Sequence, residues 1–380
     1  MAWHHQSVPW QKVTITLAIL YFLAFHVHPA IRNFHTTIVQ QYPLPDILDP
    51  RKHAPVNSYA TTLTTNLIIA STVEDNITWT SDLFPHLPNL RILRYISDSS
   101  TAEFHPPVYN KGREALMYLT FMRDHHHLTR TPDSQDDGLA DVNIFIHAEE
   151  FPWHAEPALM KSMLFTLAHL DLQHVVENGY VNLRYTWGGP GEHNCPDGGF
   201  NTSTTFEENP LGEEYFMREA FETNFPGEEV PELLAGPCCS QFAVSRETIR
   251  GRERGVYERA VDWLVETSWP DQLVGRVWEH MWIWLFKGVA RDCGSEEWRT
   301  LCAMYKVCFE GSIELRQFEE AWVERERLIE YEFGFWRELV RPARVAWARN
   351  VVQVIASKLD ALMAEAVDRG GSRILTAIPA

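Results

Sequence analysis

Short apolar runs alternate with helical patterns between residues 66 and 310. The run at 66–70, NLIIA, is typical of a buried strand, whereas 113–127 places apolar side chains at helical spacing. Similar runs predict further strands at 91–96, 142–146, 181–185 and 241–244, with helices between them. This alternation predicts an α/β fold, with a mainly parallel, Rossmann-like sheet and helices on both faces.

The chain divides into four segments by composition. Residues 1–31 contain an apolar run, 32–65 are rich in proline and polar residues, 66–310 form the α/β domain, and 311–380 interleave aromatic residues with Glu and Arg. The proline-rich segment predicts a stem or linker. The last segment predicts a C-terminal extension of two amphipathic helices broken near Pro342, because proline interrupts a helix.

The N-terminal apolar run, 13–25, carries no charge. A membrane-spanning helix needs about 20 apolar residues, so this run is marginal in length. Three interpretations compete: an uncleaved signal anchor, a cleaved signal peptide, and a buried helix of a cytosolic protein. No clear small-residue cleavage site follows the run, which favours the anchor. We therefore expect a single-pass membrane protein with its body in the Golgi or ER lumen, and a secreted protein as the alternative.

Two other features favour a lumenal body. Asn76 and Asn201 each begin an Asn-x-Thr or Asn-x-Ser triplet, the acceptor pattern for N-glycosylation. The chain has 6 cysteines, an even number that suits disulfide pairing. A local disulfide is expected among Cys293, Cys302 and Cys308, and the alternative is a set of reduced, buried thiols. No CxxC spacing occurs, which argues against a zinc ribbon or a thioredoxin site.

The net charge of the chain limits which classes of molecule are expected to bind it. The chain has 33 Lys and Arg against 51 Asp and Glu, a formal net charge of −18. A surface this acidic repels phosphate backbones, so we expect no nucleic-acid partner. With 45% hydrophobic and 22% charged residues, the composition is that of a globular protein and excludes disorder over most of the length.

The strand-to-helix junctions hold the first candidate binding residues, because ligands of α/β proteins bind beyond the carboxyl ends of parallel strands. Glu74 and Asp75 follow the first predicted strand and could bind a ribose or a base amine. Alternatively, Asp75 is the N-cap of the next helix. Lys111 and Arg113 precede a later helix, where two cations beside a helix N-terminus could hold a diphosphate. The alternative there is a loop with solvated charges.

A cluster of imidazole and carboxylate groups follows the third predicted strand. His147, Glu149 and His154 fall within eight residues. Such groups could bind a divalent metal, with Mn²⁺ or Mg²⁺ as the cofactor considered, and Glu149 could act as a general base. The order matches no standard zinc motif, and His147 could instead form a hydrogen bond inside the core.

Later segments add the remaining candidates. Arg184 and Arg246 lie near the ends of two predicted strands, where Arg246 could reach a phosphate or carboxylate. Arg276, Glu279 and His280 share one face of a Trp-rich helix, since they are spaced i, i+3 and i+4. Glu279 or His280 among aromatic rings could serve as a base. The alternative is an Arg–Glu pair that orients a core helix.

Several motifs of common enzymes are absent from the sequence. There is no GxSxG motif, no GxGxxG after the first predicted strand, and no set of kinase motifs. Hydrolases of the nucleophile-elbow type, dinucleotide enzymes and kinases are therefore disfavoured.

Several ordered segments together resemble a functionally uncharacterised family that is best represented in fungi and known as a domain of unknown function. The segments are NKGRE at 110–114, FIH and WH within 145–154, CCSQFAVSR at 238–246, and GRVWEHMW at 275–282. The resemblance covers about residues 66–310. That family has no established activity, so the resemblance leaves open whether the chain is an enzyme.

At the level of the fold, the chain is distantly similar to A-type nucleotide-sugar glycosyltransferases, which place one Rossmann-like sheet behind a membrane anchor and a stem. Those enzymes usually carry an Asp-x-Asp metal motif after a central strand, where this chain has His147-Ala148-Glu149. The similarity implies transfer of a sugar from a nucleotide-sugar donor. The alternatives are a non-catalytic accessory or scaffold protein and a metal-dependent enzyme of small-molecule biosynthesis.

The glycosyltransferase hypothesis assigns a role to each candidate. Cationic side chains neutralise the donor's diphosphate: Lys111, Arg113 and Arg246. Glu149 and His154 hold a metal or position the acceptor, and Glu279 or His280 is the base.

Overall fold

The computed structural model of the chain describes residues 49–53, 62–87, 89–131, 138–186, 200–205, 213–294, 296–334, 337 and 340–377. The predicted membrane segment and most of the predicted stem lie outside these residues. No helix within the described ranges is long and apolar enough to cross a membrane. The chain forms two units, Asp49–Glu319 with Ala361–Ala380, and Met1–Leu48 with Glu320–Asp360.

Two β-sheets belong to the first unit. Their strands, in chain order, are β1 Thr65–Ser71, β2 Leu90–Ile96, β3 Val142–His147, β4 Tyr180–Asn182, β5 Phe200–Asn201, β6 Leu233–Leu234 and β7 Phe242–Ser245. The larger sheet has five strands in the order β2-β1-β3-β7-β4, and β5 pairs with β6 alone. β1 is parallel to both β2 and β3, whereas β7 is antiparallel to both β3 and β4. The prediction of an α/β fold with a mostly parallel sheet is confirmed.

The α-helices of the described residues are α1 Arg113–His125, α2 Met163–His169, α3 Leu172–Asn178, α4 Glu213–Asn224, α5 Arg246–Gly251, α6 Arg254–Glu266, α7 Asp271–Lys287, α8 Glu297–Tyr305, α9 Ser312–Glu332 and α10 Pro342–Ala377. Short 3-10 helices span Pro50–His53, Thr78–Leu83 and Pro157–Leu159. The predicted break between two C-terminal helices is confirmed, because α9 ends before Pro342 and α10 begins there.

The strongly apolar sequence over 156–172, with Pro157 in the first turn, predicts a single helix, and this prediction is wrong. Met160 and Lys161 have φ values of 57° and 46°, which an α-helix cannot accommodate. The segment therefore divides into a 3-10 turn, α2 and α3. Ser162 accepts a hydrogen bond from Phe165 N at the start of α2, and Asp171 caps α3 in the same way. An apolar run alone does not reveal this break, because all three pieces bury their hydrophobic residues.

The central strands are buried on both sides, which explains their continuous apolar sequences. Every residue of β1 is buried, and so is every residue of β3 except His147. Helix α1 contacts β1, whereas α3 contacts β3, β4 and β7.

An aromatic cluster joins β7 to α1 and α7. The Phe242 ring lies 4.9 Å from that of Phe145 on β3, 5.9 Å from that of Tyr118 on α1, and 5.0 Å from that of Trp282 on α7, measured between centroids. All four side chains are fully buried. Rings at these separations add attraction beyond the burial of apolar area. This cluster holds the two helices in place against the sheet. It therefore positions the first residues of α1, which lie at the candidate site described below.

Disulfides occur at two pairs of the described cysteines. Cys302 and Cys308 are joined, which confirms the predicted local disulfide, and the neighbours Cys238 and Cys239 are joined to each other. Cys293 is also disulfide-bonded. No cysteine within the described ranges is a free thiol, so the alternative of reduced, buried thiols is wrong for these residues.

The end of α10, which belongs to the first unit, packs closely on residues 306–314 of the same unit. Cys308 N donates to Ala366 O at 2.9 Å, and Arg369 donates to both carboxylate oxygens of Glu314 at 2.8 and 3.1 Å. A Cβ at Gly370 would lie 1.7 Å from Lys306 O, so this position accepts only glycine. The approach is possible because glycine has no side chain.

Removing the Phe242 ring should destabilise the first unit. We expect Phe242→Ala to lower the free energy of unfolding by about 3–5 kcal/mol, through lost burial and a residual cavity. Urea denaturation followed by circular dichroism measures it. Phe84→Ala is the control, since Phe84 is 48% exposed and its loss should cost little. Equal losses in the two variants would contradict the central role of the cluster.

Candidate functional site

A cavity of about 600 Å³ opens at the carboxyl edge of the parallel strands. Ser71 and Thr72 line it at the end of β1, Ser97 after β2, and His147 and Glu149 at the end of β3. These residues converge because the strands are parallel and in register: Ala70 stands opposite His147, and Ser71 opposite Ile96. The remaining wall is the loop before α1, which is tied to the end of β2 by the hydrogen bond from Asn110 N to Ser97 O at 3.0 Å.

The loop before α1 has an unusual backbone. Asn110, Gly112 and Arg113 have φ values of 46°, 67° and 49°. Left-handed residues other than glycine cost free energy and persist only where their surroundings hold them. Here Lys111 Nζ donates to Val265 O at 2.6 Å and to Thr267 O at 2.7 Å. These bonds hold the loop against the end of α6.

A second clamp holds the same loop from α7. Gly112 N donates to Asp271 Oδ1 at 3.0 Å. Asp271 is the first residue of α7 and also lines the cavity. Lys111 lines the cavity too, but its ammonium group donates to two backbone carbonyls.

Arg113 is the cation that remains available to a ligand. Its side chain is exposed, lines the cavity, and forms no hydrogen bond or ion pair with any described residue. It lies across Gly275 of α7, where an added Cβ would come within 2.9 Å of Arg113 Cδ. The absence of a side chain at Gly275 thus makes room for the arginine.

Two carboxylates of the wall are similarly available. Glu114 and Glu149 line the cavity and make no hydrogen bond or ion pair within the described part of the chain. Asp75 also lines it, but Asp75 Oδ2 accepts from Thr72 N at 2.6 Å and from Thr72 Oγ1 at 3.0 Å. Asp75 therefore closes a turn, and the prediction of a helix N-cap is wrong. Glu74 is exposed and does not line the cavity.

The two histidines are in contact. The rings of His147 and His154 lie 5.4 Å apart at 79°. Burial, together with the nearby His147 and Arg184, lowers the pKa of His154 to about 3. The Gln241 amide donates to His154 Nε2, which suits a neutral imidazole. His147 Nε2 is buried without a hydrogen-bond partner among the described residues.

The predicted metal set is not assembled as a metal centre. No three His, Cys, Asp or Glu side chains in the described ranges are grouped so that they could hold a metal ion. The reason is visible at His154, whose Nε2 is directed to Gln241. His147, Glu149 and His154 all line the cavity, but not as three ligands of one ion.

Three predicted arginines lie elsewhere. Arg246 pairs with Asp141, which precedes β3, so it stands at the amino edge of the parallel strands. The reason is the reversed direction of β7. Arg184 donates to Glu156 Oε1 at 3.1 Å, and Arg276 pairs with Glu213. None of these arginines lines the cavity.

Glu279 and His280 do not line the cavity either. Burial, with repulsion by Glu114 and Glu213, raises the pKa of Glu279 to about 7, against the opposing attraction of Arg276 and Arg113. Glu279 thus lies outside the cavity, but its pKa depends on the charges of Glu114 and Arg113, which line it.

Sequence reasoning missed several parts of the site. Trp153 lines the cavity with its side chain 84% exposed, more than any other large hydrophobic residue described. Glu114 and Trp153 belong to segments that carried the family resemblance, which was the available signal. No signal in the sequence indicated Asp271, since it is 159 residues from its hydrogen-bond partner Gly112.

Comparison with known proteins places this site in a family. Residues 67–303 match the family described as Protein of unknown function (DUF3431). The chain belongs to this family. The DUF3431 region contains the five-stranded sheet, apart from the first two residues of β1, and every residue that lines the cavity. No curated protein and no solved structure matches the chain.

The buried carboxyl of Glu279 should make stability depend on pH. The unfolded chain releases this proton near pH 4.5 and the folded chain near pH 7, so its contribution to stability falls as the pH rises between them. We expect Glu279→Gln to match the wild type at pH 4 and to melt at a higher temperature at pH 8. Glu219→Gln, at an exposed position of α4, is the control. Equal melting temperatures of Glu279→Gln and wild type at pH 8 would contradict the burial of this charge.

Proposed function

We propose that the protein is a glycosyltransferase-like enzyme that binds a nucleotide-sugar donor in the cavity beyond β1, β2 and β3. The observation that carries the proposal is the position of the cavity together with Arg113. In the order β2-β1-β3 the chain leaves β1 for one side and later returns to the other. Ligands of open α/β sheets bind in the crevice at such a switch point.

The chemistry of the wall suits sugar transfer. An acceptor hydroxyl would attack the anomeric carbon, the bond from that carbon to the phosphate oxygen would break, and the nucleoside diphosphate would leave with the electron pair. Arg113 is placed to bind the negative charge that forms on the leaving group. Glu149, an exposed carboxylate without a described partner, is the candidate base for the acceptor's proton.

Mn²⁺ or Mg²⁺ fits this wall only as an ion shared with the donor. Such ions usually bind through one or two carboxylates together with substrate phosphates. Asp75 and Glu149 are the carboxylates after β1 and β3 that would serve. His154 does not fit as a ligand, because Gln241 donates to its Nε2. The ion would offset charge on the diphosphate.

Isothermal titration of the full chain with common sugar nucleotides, with and without Mn²⁺, tests the donor site. We expect Arg113→Ala to weaken donor binding about 10- to 100-fold, the value of a charge-assisted hydrogen bond of about 1.5–3 kcal/mol. Arg276→Ala is the matched control, because Arg276 is a half-exposed arginine paired with Glu213 outside the cavity. Gly275→Ala, which crowds Arg113 without removing charge, should also weaken binding.

No heat with any sugar nucleotide would count decisively against the donor site. Equal losses in Arg113→Ala and Arg276→Ala would show that the cavity is not where the donor binds.

A scaffold protein is the second candidate, supported by apolar side chains exposed on the C-terminal helices. Val323, Trp347 and Val354 are 58%, 52% and 70% exposed. Exposed apolar groups of this size are typical of surfaces that bind another protein when they form a patch. The titration above separates the two candidates, since a scaffold requires no sugar nucleotide.

Both glycosylation acceptors are accessible, which supports the proposed lumenal body. Asn76, Thr78, Asn201 and Ser203 are all exposed. In a secreting eukaryotic host we expect N-glycans at both asparagines, and removal of each glycan should increase gel mobility. Asn76→Gln and Asn201→Gln should each abolish one step of the shift caused by peptide N-glycosidase. A chain whose mobility the enzyme does not change would contradict a lumenal location.

A further inference from the structure

Trp153 is placed to contact a ligand through its faces. It follows β3 on a loop and lines the cavity, and its neighbour Phe151 is also exposed. The Trp153 ring meets the His154 ring at 5.3 Å and 85°, which is an edge contact. His154 is buried and receives the hydrogen bond from Gln241, so the indole rests on a fixed support. Because Trp153 is 84% exposed, its indole is open for stacking.

The charges that line the cavity favour no second anionic ligand beside a donor bound at Arg113. Four carboxylates line the cavity, those of Asp75, Glu114, Glu149 and Asp271, against the two cations of Lys111 and Arg113. Lys111 is already bonded to two carbonyls. One free guanidinium suits one anionic group. A second ligand in the same cavity meets mainly carboxylates, so it is best neutral and rich in hydrogen-bond donors.

A pyranose ring has both properties. Its C–H groups form an apolar face that can stack on an indole, and its hydroxyls surround the edge as donors for carboxylates. Glu149 is exposed and without a described partner, four residues from Trp153 in the same loop. A nucleobase would also stack on tryptophan, but it offers fewer donors to the carboxylates.

We propose that Trp153 and Glu149 form an acceptor subsite for a neutral saccharide. In this subsite the indole stacks on a pyranose ring, and the Glu149 carboxylate accepts hydrogen bonds from the hydroxyls of that ring. This inference rests on the proposed function, since it adds the acceptor class to the donor site at Arg113. The same contact directs an acceptor hydroxyl to the carboxylate that would take its proton.

The test is binding of neutral disaccharides to the full chain, with mannobiose, maltose, cellobiose and chitobiose as probes. Saturation-transfer difference NMR with a titration gives the affinity. We expect at least one probe to bind, Trp153→Ala to weaken it about tenfold, and Trp153→Phe to retain part of the affinity. Trp347→Ala is the matched control, since Trp347 is also exposed but lies in the other unit. Because Trp153 is so exposed, its loss should leave the melting temperature unchanged.

Sugar-nucleotide titration of the same variants separates the two proposals. Unchanged donor binding in Trp153→Ala, with weakened disaccharide binding, supports the acceptor subsite. If Trp153→Ala weakens donor binding and no disaccharide binds, the acceptor subsite is overturned. That result would mean that the base of the donor stacks on the indole, and the proposed donor site would be retained. If disaccharides bind through Trp153 but no sugar nucleotide binds, the acceptor subsite is supported and the proposed transferase function is contradicted. No effect of Trp153→Ala on either ligand overturns the subsite.

Discussion

The contact of Phe242 with Tyr118, Phe145 and Trp282 is the interaction on which the arrangement of the site depends. It fastens helices α1 and α7 to the face of the sheet formed by β3 and β7. Because a helix is rigid, fixing the middle of α1 also fixes its first residue, Arg113. The same contact brings Gly275 of α7 beneath that arginine. Core packing by rings that do not themselves line the cavity thereby determines where Arg113 stands.

The loop before α1 shows how charged residues divide between structure and binding. Lys111 and Asp271 hold the loop in its left-handed conformation, through bonds to two carbonyls and to Gly112 N. Their charges are therefore partly satisfied within the protein. Arg113, Glu114 and Glu149 line the same cavity without such bonds. Lys111 and Asp271 therefore stabilise the loop, whereas the charged groups without a described partner are free to contact a ligand.

The direction of β7 divides the candidates into two groups. The parallel strands β1, β2 and β3 bring their carboxyl ends to one edge, where His147 and Glu149 join the loops of β1 and β2. β7 is antiparallel to β3, so the residue that follows it, Arg246, emerges at the opposite edge and pairs with Asp141. One reversed strand thus separates Arg246 from the site by the length of the sheet.

Local hydrophobic periods are enough to predict the central strands and the α/β class, and the ordered segments such as CCSQFAVSR at 238–246 are enough to predict the family. The sequence also predicts Arg113, His147 and Glu149 as binding or catalytic residues, from their positions at the ends of strands or the start of a helix, and these roles stay predictions. The tertiary structure decided which candidates share a cavity, since the reversal of β7 and the 159-residue contact of Asp271 with Gly112 leave no local pattern. It likewise decided that Lys111 is a clamp, that His154 is turned to Gln241, and that Trp153 is exposed. Hydrogen bonds and burial depend on residues distant in sequence, and only folding brings those residues together.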